Sequence, residues 1–231
     1  SSLPNVMSNG KAYKNGHYWD DNINFRFNNI ICIQNSLLKG YTINNVVLDV
    51  FKGNNKRDKI TIGVACCNDT NFFKKEEYCD QEGQRQYFKI GDCLNQDILT
   101  RKFIHCLEVA QKKNVDIIMG LEMYGTTDLC SVDEYGFNTR FRNLNATPPY
   151  IIVTPSIWKN HKNFVSVYTN SGEHIGYQYK QNRFELKGKD GTYYLEDLRD
   201  TPKDILLIHI PGWGRVAIPI CADFLNTAFI R

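Results

Sequence analysis

Apolar residues fall in short bursts along this chain, and their spacing predicts most of a mixed α/β domain. Ile60, Ile62 and Val64 alternate with Thr61 and Gly63, the period-two pattern of a strand. Across 92–113, Leu99, Phe103, Cys106, Leu107 and Ala110 recur at helical spacing on one face. Arg101, Lys102, Glu108 and Lys112 fall elsewhere on that helix. Residues 115–121 and 150–154 are nearly continuous apolar runs, as strands buried on both faces require. Two hairpins are predicted beyond them. One joins 164–168 to 174–179 through Asn170-Ser-Gly172, and the other joins 205–210 to 216–220 through Pro211-Gly-Trp-Gly214.

The first 57 residues differ in character, being rich in Asn, Lys and aromatics with one strand-like run at 41–51. A polar linker at 54–58 marks a boundary. Residues 1–57 are therefore read as an extension or the end of a preceding domain, and 58–231 as the main domain. Residues 66–93 read as an irregular insertion. A strand–helix–strand unit followed by hairpins predicts a sheet covered by helices.

Composition narrows the function classes. The chain has 231 residues, 42% hydrophobic and 23% charged, which suits one soluble globular domain with an appendage. A net charge of +3 without a basic run argues against nucleic acid as the main partner. No apolar stretch approaches the roughly 18 residues that span a bilayer, so no membrane partner is expected. The N-terminus, Ser1-Ser2-Leu3-Pro4, lacks both an initiator Met and a signal pattern, and reads as a cut end. Eight cysteines in a chain of this size without a secretory signal read as reduced thiols in a cytoplasmic protein. The gaps between Cys66-Cys67, Cys79 and Cys93 are far from zinc-binding spacing, so no metal or cofactor is expected.

Three residues stand where chemistry is placed in such folds. Glu122 directly follows the apolar run 115–121, and a carboxylate at the C-terminal end of a buried strand is positioned for proton transfer. Taken alone, it reads first as a solvated loop acid. Lys180 closes the second strand of the first hairpin on the same face as Gly176 and Gln178; taken alone, it is an edge charge. Cys221 ends the run 216–220 at a strand-to-helix turn, where following N–H groups are free to hold an oxyanion. Taken alone, it is a buried structural cysteine.

As a set they read differently. The phrases Asp116-Ile-Ile-Met-Gly-Leu-Glu122, Gly176-Tyr-Gln-Tyr-Lys180 and Gly214-Arg-Val-Ala-Ile-Pro-Ile-Cys-Ala-Asp223 resemble, in order and context, the three signature strands of the nitrilase superfamily. The resemblance runs from about residue 59 to the end, and the cysteine phrase is its most specific part. It implies a four-layer α-β-β-α sandwich and a carbon–nitrogen hydrolase of the amidase or nitrilase type. It implies Cys221 as nucleophile, Glu122 as general base and Lys180 as oxyanion holder, helped by the N–H of Ala222. Glu196 matches a further glutamate of the family, with Glu185 a weaker alternative. The implied substrate is a small-molecule amide, more rarely a nitrile, with no cofactor. The chain departs from the pattern at Leu121, where the family has proline, and at Ala222. It also stops at Arg231, ten residues after Cys221, so the domain is expected to be incomplete here, in a homo-oligomer or as part of a larger polypeptide.

Two other readings follow from the same residues. One is a non-catalytic sensor or scaffold module of a larger multidomain protein, such as a bacterial defence protein. The other, a papain-type peptidase, requires a histidine partner, and none of His17, His105, His161, His174 and His209 sits in a matching context.

Overall fold

The computed structural model describes residues 40–50, 59–66, 74–91, 94–141 and 148–225. The chain divides into two units, Ser1–Tyr41 with Thr227–Arg231, and Thr42–Asn226. Every element below belongs to the second. The linker at 54–58 lies outside the described residues, as do Cys32, Cys67 and Cys93.

The apolar runs become strands of one six-stranded sheet. β2 (Ile62–Ala65), β5 (Ile117–Gly120) and β6 (Ile151–Val153) run parallel. β8 (Lys162–Thr169) then pairs antiparallel with β6, with β7 (Ile157–Lys159) and with β9 (His174–Tyr179). Alternation along these strands divides their side chains between two cores. Ile118, Ile152 and Tyr168 join Phe103, Leu107 and Ala110 of α1 (Gln96–Lys112) on one face. Ile117, Ile151, Val153, Val165 and Val167 face the other way. There they meet Leu206, Ile208 and Ile210 of β12 (Asp204–Ile210). β12 lies between β1 (Thr42–Val47), parallel to it, and β13 (Gly214–Ala217), antiparallel. Both cores therefore depend on the central strands being apolar on both sides.

The strand-like run near 41–51 thus forms β1, and the helix predicted across 92–113 forms as α1 with Leu99, Phe103, Leu107 and Ala110 buried. β2 also forms, yet Ile62 and Val64 are 54% and 58% exposed. Gly63 and Ala65 take the inner face, because a Cβ on Gly63 would lie 2.9 Å from a methyl of Val115. Only small residues fit there.

Two expectations are corrected. Residues 66–93 are not simply an irregular insertion: β3 (Lys75–Cys79) and β4 (Gln86–Ile90) form a hairpin inside it. β4 pairs in parallel with β11 (Tyr193–Glu196), which pairs with β10 (Glu185–Lys187), making a four-stranded sheet. The four-layer α-β-β-α sandwich is not found. Regular structure among the described residues is mostly strand, in three mixed sheets, with only two α-helices, α1 and the four-residue α2 (Thr127–Cys130). The physical reason lies in the connections. Helical layers come from the long crossovers that parallel strands need, whereas β7 to β9 and β12 to β13 are joined by turns too short to hold a helix. Among the described residues no helix is long and apolar enough to cross a membrane.

Because α1 is held by one apolar stripe, Leu107→Ala is expected to lower unfolding free energy by about 2–5 kcal/mol in chemical denaturation. A loss well under 1 kcal/mol would show that the helix does not pack as described.

Candidate active site

Glu122 sits on a turn hooked against the residues that follow β6. Gly120 and Gly125 bracket it, and both run against backbone. A Cβ on Gly120 would lie 2.2 Å from Pro155 N, and one on Gly125 would lie 2.6 Å from Pro155 O. This close approach lets Ser156 bind the turn three times. Its N–H donates to Leu121 O at 3.1 Å, and its carbonyl accepts from Gly125 N–H at 2.8 Å. Its hydroxyl accepts from Met123 N–H at 2.9 Å. Met123 completes the turn with φ +70°. Glu122 is thereby aimed by a rigid hook at the strand end.

Lys180 follows β9 directly, and its N–H donates to Asn163 O at 2.8 Å. Its side chain is 1% exposed, which excludes the edge-charge reading. Nζ donates to Glu122 Oε1 at 2.7 Å and to Glu196 Oε2 at 2.6 Å. Glu196, the last residue of β11, is completely buried. Burial opposes the Lys180 ammonium, but the charges of Glu196 and Glu122, with the hydrogen bonds to both, outweigh it and hold its pKa above the ordinary lysine value. For Glu196, burial is the stronger influence. It pushes the carboxyl pKa up against the pull of Lys180, Asn163 and Phe184 N–H.

Cys221 opens a 3₁₀ turn, Cys221–Leu225, in place of the predicted α-helix. Its φ of +47° lies in the left-handed region that non-glycine residues rarely adopt. This strained corner leaves Cys221 exposed. The Glu122 carboxyl and the Lys180 ammonium both act on the thiol. Partial burial of the sulfur, then the hydrogen bond and charge of Glu122, raise its pKa above the usual thiol value, while Lys180 and the N–H of Ala222 pull it down. The balance is upward, and a carboxyl beside a thiol whose pKa is raised is an arrangement suited to base-assisted attack.

The structure therefore brings together Glu122, Lys180, Glu196 and Cys221. Glu185, the alternative to Glu196, is exposed at the start of β10. No histidine is among the groups that chiefly act on the thiol. His161 instead pairs with Asp197 at 2.5 Å.

Two buried residues were not legible as site residues. Asn163 donates from Nδ2 to Glu122 Oε1 at 2.9 Å and to Glu196 Oε1 at 3.2 Å, so it spans both carboxylates that hold Lys180. The apolar pattern of its strand begins only at Phe164, one residue later, and carries no sign of it. Asp223 was visible only as part of the cysteine phrase. It is completely buried and accepts N–H groups from both sides of the site. Among the described residues no group of three or more His, Cys, Asp or Glu is arranged to hold a metal ion. Comparison with known protein families gives no match, and comparison with curated proteins gives none.

The opposing effects on the thiol have a measurable consequence. Glu122→Gln removes the charge that raises the Cys221 pKa, so the pH midpoint of Cys221 alkylation should move down. Lys180→Gln removes the opposing charge and should move it up. Midpoints that stay put in both variants would separate the thiol from the carboxylate and the ammonium.

Proposed function

We propose that this chain is a thiol hydrolase acting on a non-peptide carbon–nitrogen bond, an amide first and a nitrile second, with chemistry of the nitrilase type. The observation that carries this reading is the buried Lys180 held between Glu122 and Glu196, with the Cys221 thiol under the hydrogen bond and charge of Glu122 and the charge of Lys180. The reading concerns the site and not a four-layer fold.

As Sγ attacks the carbonyl carbon, its proton passes to Glu122 and the carbonyl π electrons move onto oxygen. Lys180 has three N–H donors, of which two engage Glu122 and Glu196. The third is available to the oxyanion, together with the Ala222 N–H beside Sγ. Collapse of the tetrahedral species breaks the C–N bond, and the proton on Glu122 goes to the departing nitrogen, leaving a thioester on Cys221. Glu122 then takes a proton from water as its oxygen attacks the thioester. The C–S bond breaks, the proton returns to sulfur, and the carboxylic acid leaves.

Glu196 has a different part. It never reaches the thiol in this scheme; it keeps the ammonium charged and aimed while Glu122 alternates between base and acid. Asn163 keeps both carboxylates in place through that cycle. The scheme is completed by side chains and backbone alone, so no cofactor enters it. A cytoplasmic setting belongs to the same proposal, since a thiol nucleophile works in a reducing compartment. The five described cysteines, Cys66, Cys79, Cys106, Cys130 and Cys221, are free thiols.

The test is turnover on a panel of small primary amides, with intact-protein mass after acid quench to capture the thioester. Cys221→Ala should abolish both turnover and adduct. Glu122→Gln should cut turnover by about 10²–10⁴-fold. Turnover that survives in Cys221→Ala would overturn the reading.

A further inference from the structure

Asp223 is a buried carboxylate that the reaction scheme does not use, and its partners are unusual in where they lie. Oδ1 accepts from Gln181 N–H at 2.9 Å, Asn182 N–H at 2.8 Å and Asn182 Nδ2 at 2.9 Å. Oδ2 accepts from Gln181 N–H at 3.2 Å and Ile220 N–H at 3.2 Å. Each of these donors is an uncharged N–H. The two residues on one side directly follow Lys180, and the residue on the other directly precedes Cys221. The Asp223 N–H also donates back to Ile220 O at 3.0 Å, closing the turn around Cys221 from its other end.

We propose that Asp223 is a positioning residue: a carboxylate clamp that holds the backbone after Lys180 against the backbone around Cys221, and so sets the approach of ammonium to sulfur. The clamp rests on the reading of Cys221 and Lys180 as working partners.

Three observations support it. First, Lys180 leaves β9 and Cys221 leaves the stretch after β13, strands of different sheets, so no ladder hydrogen bond fixes their separation. Gln178 ties β9 to β12 through Leu206 N–H and Asp204 O, and Asp223 bonds the segment after Lys180 to the turn around Cys221. Second, Cys221 holds a left-handed conformation that a non-glycine residue keeps only when its surroundings over-determine it. The closed turn from Ile220 to Asp223 does so. Third, a complete carboxylate with four converging N–H groups is the right chemistry. An amide there would turn an NH₂ group toward donors, and a hydroxyl would satisfy one or two of them.

A role that is only structural would lower stability without touching the link between ammonium and thiol. The readout is therefore the pH midpoint of Cys221 alkylation by iodoacetamide, followed by peptide mass spectrometry, in a double-mutant cycle with Lys180→Gln. Asp223→Asn should raise the midpoint by about one pH unit, or tenfold less thiolate at neutral pH. In the Lys180→Gln background the same substitution should produce no further shift. An unchanged midpoint in Asp223→Asn, or shifts that add in full, would overturn the clamp. Thermal melts accompany every variant. If Asp223→Asn does not fold, Asn182→Ala decides, since it removes one side-chain donor from Asp223 and leaves the carboxylate intact. A smaller upward shift supports the clamp, and none overturns it. Alkylation needs no substrate, so its outcome is independent of turnover. Amide hydrolysis retained in Cys221→Ala would end the hydrolase reading, whereas the alkylation midpoints would still support or overturn the clamp.

Discussion

An ammonium group that is 1% exposed needs its charge answered within the protein, and Lys180 has it answered by Glu122 and Glu196. Removing any member of such a buried set strands the others in a poor solvent for charge, a loss of about 3–5 kcal/mol in comparable cases. The constraint reaches well beyond the three side chains. Glu122 stands two residues beyond β5 and Lys180 follows β9 in the six-stranded sheet, whereas Glu196 ends β11 in the four-stranded sheet. Asp223 adds the turn beyond β13 of the three-stranded sheet. Strands of all three sheets thus lead into the segments around Lys180, and an apolar core lies between the six-stranded and three-stranded sheets.

The same geometry sets the two glutamates apart. Glu122 is a quarter exposed and acts on the thiol, whereas Glu196 is sealed, its carboxyl bonded among the described residues to Lys180, Asn163 and the Phe184 N–H. A carboxylate that exchanges protons with substrate needs access. One that holds an ammonium in place needs the opposite. Asn163 lets the two differ in environment while remaining coupled, since one amide group donates to both.

Period-two and helical patterns were good guides wherever a segment packs against one thing. α1 and the strands β1, β5, β6, β8, β9 and β12 lie close to where apolar spacing puts them. They failed where packing is decided by a partner far along the chain. β3 and β4 carry Lys75, Glu76, Glu77 and Lys89 among their few apolar residues, so nothing in the segment itself announces a sheet that β11 completes more than a hundred residues later. β2 shows the reverse error of emphasis. Its large side chains look like core, but Val115 leaves room only for Gly63 and Ala65.

By itself the sequence pointed to Glu122, Lys180 and Cys221 as candidate residues, because each stands just beyond a strand-like run. It determined the apolar stripes that make two cores. It did not determine the layer arrangement, because helix layers depend on how strands connect, and the hairpins here leave no room for a second one. Nor did it reveal Asn163 or Asp223, or that Lys180 is buried, since a polar residue beside a strand looks the same whether it meets water or a partner. That choice is made by distant segments arriving at one place. Only the tertiary structure brings them there.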